Sequence, residues 1–183
     1  RIKPVRSDNS YTLFNLSGSS SDGVGNTPTL DQFLRLVPHT GTDISSSGDS
    51  KQFGELHLYQ GVTFIASSSN FPVYNDKFWN VFLRANKDPD SNDAQVTFGA
   101  YQANFNKNIF SYVSSSHTSF YNFCWGSGRR GAKYAFFGGI PTNTPATYDV
   151  VEPLRYSGSL QDIRIYFGEL ISDATLKKHA LEP

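Results

Sequence analysis

Nine runs of strand-forming residues recur along the chain at short intervals, and turn formers separate nearly all of them. They are FLRLV (33–37), GELHLYQ (54–60), VTFIAS (62–67), KFWNVFLRA (77–85), AQVTFGAYQ (94–102), IFSYVSS (109–115), FYNFCW (120–125), KYAFFGG (133–139) and DIRIYF (162–167). An earlier strand is expected at Tyr11–Asn15, before a long Ser/Gly-rich loop. Gln60-Gly61 predicts a tight hairpin between the second and third runs, and NKDPDSND a polar one after the fourth. Many short strands with helical character only at the end predict an all-β fold. The expected architecture is a two-sheet antiparallel β-sandwich of jelly-roll type with a short C-terminal helix.

The last run carries the clearest two-faced pattern. Ile163, Ile165 and Phe167 alternate with Asp162, Arg164 and Tyr166, which predicts a half-buried strand that Gly168 ends. Ser172 then reads as an N-cap, with Ile171 before it and Leu176 inside it at hydrophobic-staple spacing. Lys177, Lys178 and His179 fall in the last turn, where positive charge suits the helix dipole. Earlier, Trp79, Val81 and Leu83 share one face of the fourth run. Phe78, Asn80, Phe82 and Arg84 share the other, which loops or a partner are expected to cover in part.

A chain of 183 residues fits one domain, read here as a polar strand-and-loop segment over 1–30 followed by the sandwich over 31–183. Aromatics make up 15% of it, enough for a substantial core. Lys+Arg and Asp+Glu are equal at 16 each, which argues against bulk electrostatic binding to nucleic acid. No apolar run approaches the ~20 residues of a membrane span, and nothing at the start resembles a signal peptide. The chain begins at Arg1 and contains no Met, so it is expected to be part of a larger polypeptide or a processed product. The single Cys124 excludes an internal disulfide and is expected to be a buried, inert thiol between Phe123 and Trp125. Asn15-Leu16-Ser17 is a glycosylation sequon.

Three stretches carry a family likeness. GVTFIASSSNFPVYNDKFWNVFLRA places an Asn-Asp turn before a Trp-led strand, and AQVTFGAYQANFNKNIF follows it with an aromatic hairpin. The third is KYAFFGGI, with LRYSGSLQDIRIYFGELISDATLKKHAL after it. Their order resembles the concanavalin A-like lectin/glucanase superfamily, and within it the laminin-G-like domains, over roughly residues 33–181. The turn at Asn104–Asn108 departs from the Asp-Gly that members often show there. The resemblance implies that the last strand packs centrally in a sheet and that the helix plugs the edge of the sandwich. It leaves function open, because the fold hosts lectins, glycosidases, adhesion modules and structural domains.

Glycoside hydrolysis needs two carboxylates facing across the scissile bond. The four glutamates, Glu55, Glu152, Glu169 and Glu182, have no acid two residues away, so the chain is read as non-catalytic. Asp88, Asp90, Asn92 and Asp93 set hard oxygen ligands at near-alternating positions and form the candidate Ca²⁺ site, the one cofactor considered. A solvated turn is the simpler account of them. GSGRRG (126–131) has dinucleotide-motif spacing, but a strand follows it where that motif needs a helix. It instead presents Arg129 and Arg130 beside Trp125 and Tyr134, a set suited to an anionic glycan, a carboxylate or a protein surface. Tyr166, next to Arg164, is the aromatic least easily assigned to the core. His39, His57, His117 and His179 show no zinc-ligand spacing, and no G-x-S-x-G is present. The expected function is recognition of a glycan or protein partner through rim loops, within an extracellular, cell-surface or virion protein. The alternative is a structural assembly domain.

Overall fold

The computed structural model describes residues 1–18, 32–40, 50–60, 63–87, 94–104, 106–118, 132–138, 155–166 and 170–181. Its strands are β1 (Ile2–Pro4), β2 (Tyr11–Gly18), β3 (Gln32–Pro38), β4 (Gly54–Gln60), β5 (Thr63–Ser67), β6 (Asn80–Lys87), β7 (Ala94–Ala103), β8 (Ile109–Thr118), β9 (Ala132–Phe137) and β10 (Gly158–Leu160). One helix, α1 (Asp173–Leu181), ends the described chain. The strands form three antiparallel sheets, ordered β5-β4-β3-β2-β9, β6-β7-β8 and β1-β10. The fold is therefore mostly β, as the spacing of strand and turn signals predicts. The run FYNFCW, with Cys124, lies outside the described residues.

Alternation builds the core. Leu34 and Leu36 of β3 and Leu56 and Leu58 of β4 point to one side of the five-stranded sheet. They share a single apolar cluster with Val96, Phe98 and Ala100 of β7 and with Val81 and Leu83 of β6. Trp79 is fully buried, and its ring meets Phe71 edge-on at 5.1 Å. Its backbone exchanges hydrogen bonds with Ile2 at 2.8 and 2.9 Å, and its indole N–H donates to Asn75 Oδ1 at 3.2 Å. The Asn-Asp turn that aims this tryptophan is real. Asp76 is in the left-handed region at φ 59°, and Asn75 Oδ1 also accepts from the Lys77 amide.

Gly99 fixes the spacing inside the three-stranded sheet. A Cβ there would strike the Tyr112 carbonyl oxygen and sit 2.9 Å from Val113 Cα, so β7 and β8 approach more closely than a side chain permits. The hairpin joining them is the Asn104–Asn108 turn, in which Asn104 Oδ1 accepts from the Asn108 amide at 2.8 Å and Lys107 adopts φ 60°.

The end of the chain departs from expectation. Residues 161–166 form no strand, and Ile163 and Ile165 are about half exposed. The segment therefore does not pack centrally in a sheet. Backbone bonding runs one residue past β10, to Gln161, which exchanges bonds of 2.7 and 3.1 Å with Arg1, while both backbone groups of Ile2 face Trp79. Asp162 then turns into the left-handed region at φ 56°, and Arg164 reaches back to its carboxylate with bonds of 2.8 and 2.9 Å. A local ion pair has replaced the sheet ladder. Ser172 caps α1 as predicted, accepting from the Thr175 amide at 3.2 Å. The helix does not plug an edge. It lies against β7, with β6 and β8 alongside, and covers the second face of the three-stranded sheet. That face carries Phe82 stacked on Tyr101 at 5.3 Å, which explains the mixed pattern of the fourth run.

Candidate functional site

A groove of about 510 Å³ opens between the free edge of β6 and the C-terminal segment. Leu13, Leu34, Val81 and Leu83 supply apolar lining from the two large sheets, while Ile163, Ile165, Leu170 and Leu176 supply it from the end of the chain. The polar lining includes Arg1, Asn80, Arg84, Asn86, Asp162, Arg164, Tyr166 and His179.

Two arginines hold α1 in place at the groove. Arg84 alternates with Phe82 on the helix side of β6; it donates to the Ile171 carbonyl at 2.8 Å and pairs with Asp173 at 2.8 Å. Arg1 donates from Nε to Asn80 Oδ1 at 3.1 Å and from Nη2 to the His179 carbonyl at 2.7 Å. A cation thus meets the negative end of the helix dipole, and Asp173 occupies the positive end. The side chains of Tyr166 and His179 lie nearly parallel, 6.3 Å apart, with Tyr166 about half exposed.

Electrostatics here carry a cationic excess, with Arg1, Arg84 and Arg164 set against Asp162. Asp162, the one carboxylate among the described lining residues, is held below its ordinary pKa by the Arg164 hydrogen bonds. His179 is also lowered, first by desolvation and then by the Arg164 charge. Burial raises the Tyr101 hydroxyl, and the nearby Asp173 charge adds to it. The groove is thus an apolar trough with a parallel aromatic pair and a fixed set of hydrogen-bonding groups at its mouth.

Of the sequence-predicted binding residues, Tyr166 is in this groove. Trp125, Arg129 and Arg130 lie outside the described residues, and Tyr134 is described only by its strand position in β9, opposite Ser17 of β2. The calcium candidates Asp88, Asp90, Asn92 and Asp93 also lie outside them. Among the described residues no three His, Cys, Asp or Glu side chains cluster closely enough to hold a metal, and no helix is long and apolar enough to cross a membrane. The sequon does not offer a glycan acceptor in this fold, because Asn15 is fully buried in β2. Sequence reasoning missed Arg1, Asn80 and Arg84. The available signal was Arg84 on the mixed face of a strand whose other face is core. Compared with known proteins, the chain significantly matches no family model, no curated protein and no solved structure.

Proposed function

We propose that the protein is a non-catalytic recognition module, a two-sheet β-sandwich of concanavalin A-like, laminin-G-like jelly-roll type, and that it binds carbohydrate at the rim groove. The parent would be a surface, extracellular or virion protein. The observation that carries this reading is the Tyr166–His179 pair at the mouth of an apolar trough, flanked by Arg1, Asn80 and the Asp162–Arg164 fork. A sugar ring offers an apolar face to stack on such a pair and hydroxyls for the polar groups around it. The three lining arginines are already bonded to acceptors within the protein, which suits an uncharged glycan at this site.

A second reading has its own support. Phe137, Ile163, Ile165 and Leu170 are exposed along the same groove, and contiguous apolar surface of this kind is often buried against a neighbour. Under it the domain serves assembly and takes no small ligand. An immobilised glycan panel separates the two. Retention of a subset of glycans by the wild type, abolished by Tyr166→Ala, supports recognition. A blank panel together with concentration-dependent association in sedimentation supports assembly.

A further inference from the structure

The side of the five-stranded sheet turned away from the core carries a second cluster, remote from the groove. Arg35 of β3 stands between Thr12 of β2 and His57 of β4 in register, and Phe33, two residues earlier, stands between Asn15 and Tyr59. The bulge between Thr12 and Phe14 inserts one residue into β2. Thr12 and Asn15, three apart, therefore lie on this one face. The Arg35 guanidinium is 5.4 Å from the Phe33 ring and 4.8 Å from the Tyr59 ring.

Polar groups here are buried and unmatched. Arg35 is 8% exposed, and Thr12 and Asn15 are fully buried. Among the described residues, Arg35 Nε, Thr12 Oγ1 and both side-chain polar atoms of Asn15 lack a hydrogen-bond partner. The nearest acid on the face, Glu55, lies 2.9 Å from His57 Nε2, and no carboxylate among the described residues pairs with Arg35. Buried polar atoms are nearly always satisfied, and an uncompensated buried cation costs several kcal/mol. Desolvation accordingly pushes the Arg35 pKa down.

We propose that this cluster binds a carboxylate group carried by an acidic sugar. Aromatic rings attend the guanidinium, so its in-plane N–H edge is the part left to donate, and that edge matches a planar carboxylate in bidentate fashion. The Thr12 hydroxyl and the Asn15 amide supply further donors beside it. Tyr59 leads on to Phe64, ring centroids 5.6 Å apart, and Phe64 is 50% exposed at the β5 edge, where a sugar ring can stack. This site shares no side chain with the groove, so either can fail without the other.

The test is the thermal unfolding midpoint against glucuronate, acetate, glucose and a short polyglutamate peptide at constant ionic strength. The expected result is a saturable rise with glucuronate, a weaker one with acetate and none with glucose. Arg35→Met abolishes that rise, and Thr12→Val weakens the apparent affinity at least tenfold. Should Arg35→Met fail to fold, Thr12→Val decides by the same criterion. No saturable rise with glucuronate, an equal rise with glucose, or an unchanged response in the variant that decides overturns the site. A rise with polyglutamate as large as that with glucuronate overturns the sugar as its source.

Discussion

Arg84 links the last helix to the sheet through two contacts that a shorter or uncharged side chain cannot make together: the Ile171 carbonyl and the Asp173 carboxylate. Hydrogen bonds to charged groups are worth about 1.5–3 kcal/mol when one partner stays buried. Arg84 is largely buried while Asp173 is more than half exposed, so solvent screening puts the expected loss for Arg84→Ala at the low end, about 1–2 kcal/mol by chemical denaturation. Arg84→Lys should recover only part of it, since a single ammonium cannot span both partners. Gly99→Ala should be worse, because the new methyl meets strand backbone and not a movable side chain; a loss above about 2 kcal/mol is expected. At His179 the prediction concerns pH. Its folded-state pKa lies below the ordinary 6.5, so the folded protein binds fewer protons around that pH. The contribution is fully present above 6.5 and is lost as pH falls through the folded value. An NMR titration of the His179 ring should give a midpoint below 6.5, and one at or above that value contradicts the environment described.

At the level of elements, local pattern was a good guide wherever a partner strand existed. β4 coincides with GELHLYQ, and the Ser172 cap, the Asn75-Asp76 turn and the Trp79 core face were all legible because each depends on neighbours within a few residues. Residues 162–166, the described part of DIRIYF, alternate as cleanly as any of them and still form no strand. Period-two patterning reports which faces a segment would present, not whether a free edge is there to receive it. The pairing that brings Arg1 against Gln161 joins residues 160 positions apart, which no window along the chain can see, and the local Asp162–Arg164 pair follows it. Groove residues Arg1 and Arg84 were hidden for the same reason. Backbone amides of 162–166 should accordingly exchange with solvent much faster than those of β7, which is paired on both sides. Protection of Ile163 and Ile165 equal to that of Phe98 contradicts this arrangement.

Across the whole molecule, two sheets that share one core leave a trough at the β6 edge, and the chain's last segment lines it without closing it. Core and groove are thereby separated: Leu36, Leu56, Trp79 and Phe98 are buried completely, while Tyr166, Ile163 and Ile165 stay about half open to solvent. Truncating Tyr166 should therefore leave the unfolding midpoint within about 2 °C of wild type, the range of an exposed substitution. The most direct test of a binding groove is to follow backbone amide resonances while neutral oligosaccharides are titrated in. Saturable shifts confined to Asn80–Asn86, 161–166 and the last turn of α1 are the predicted result. Shifts absent at saturating sugar, or confined to residues away from that trough, contradict it.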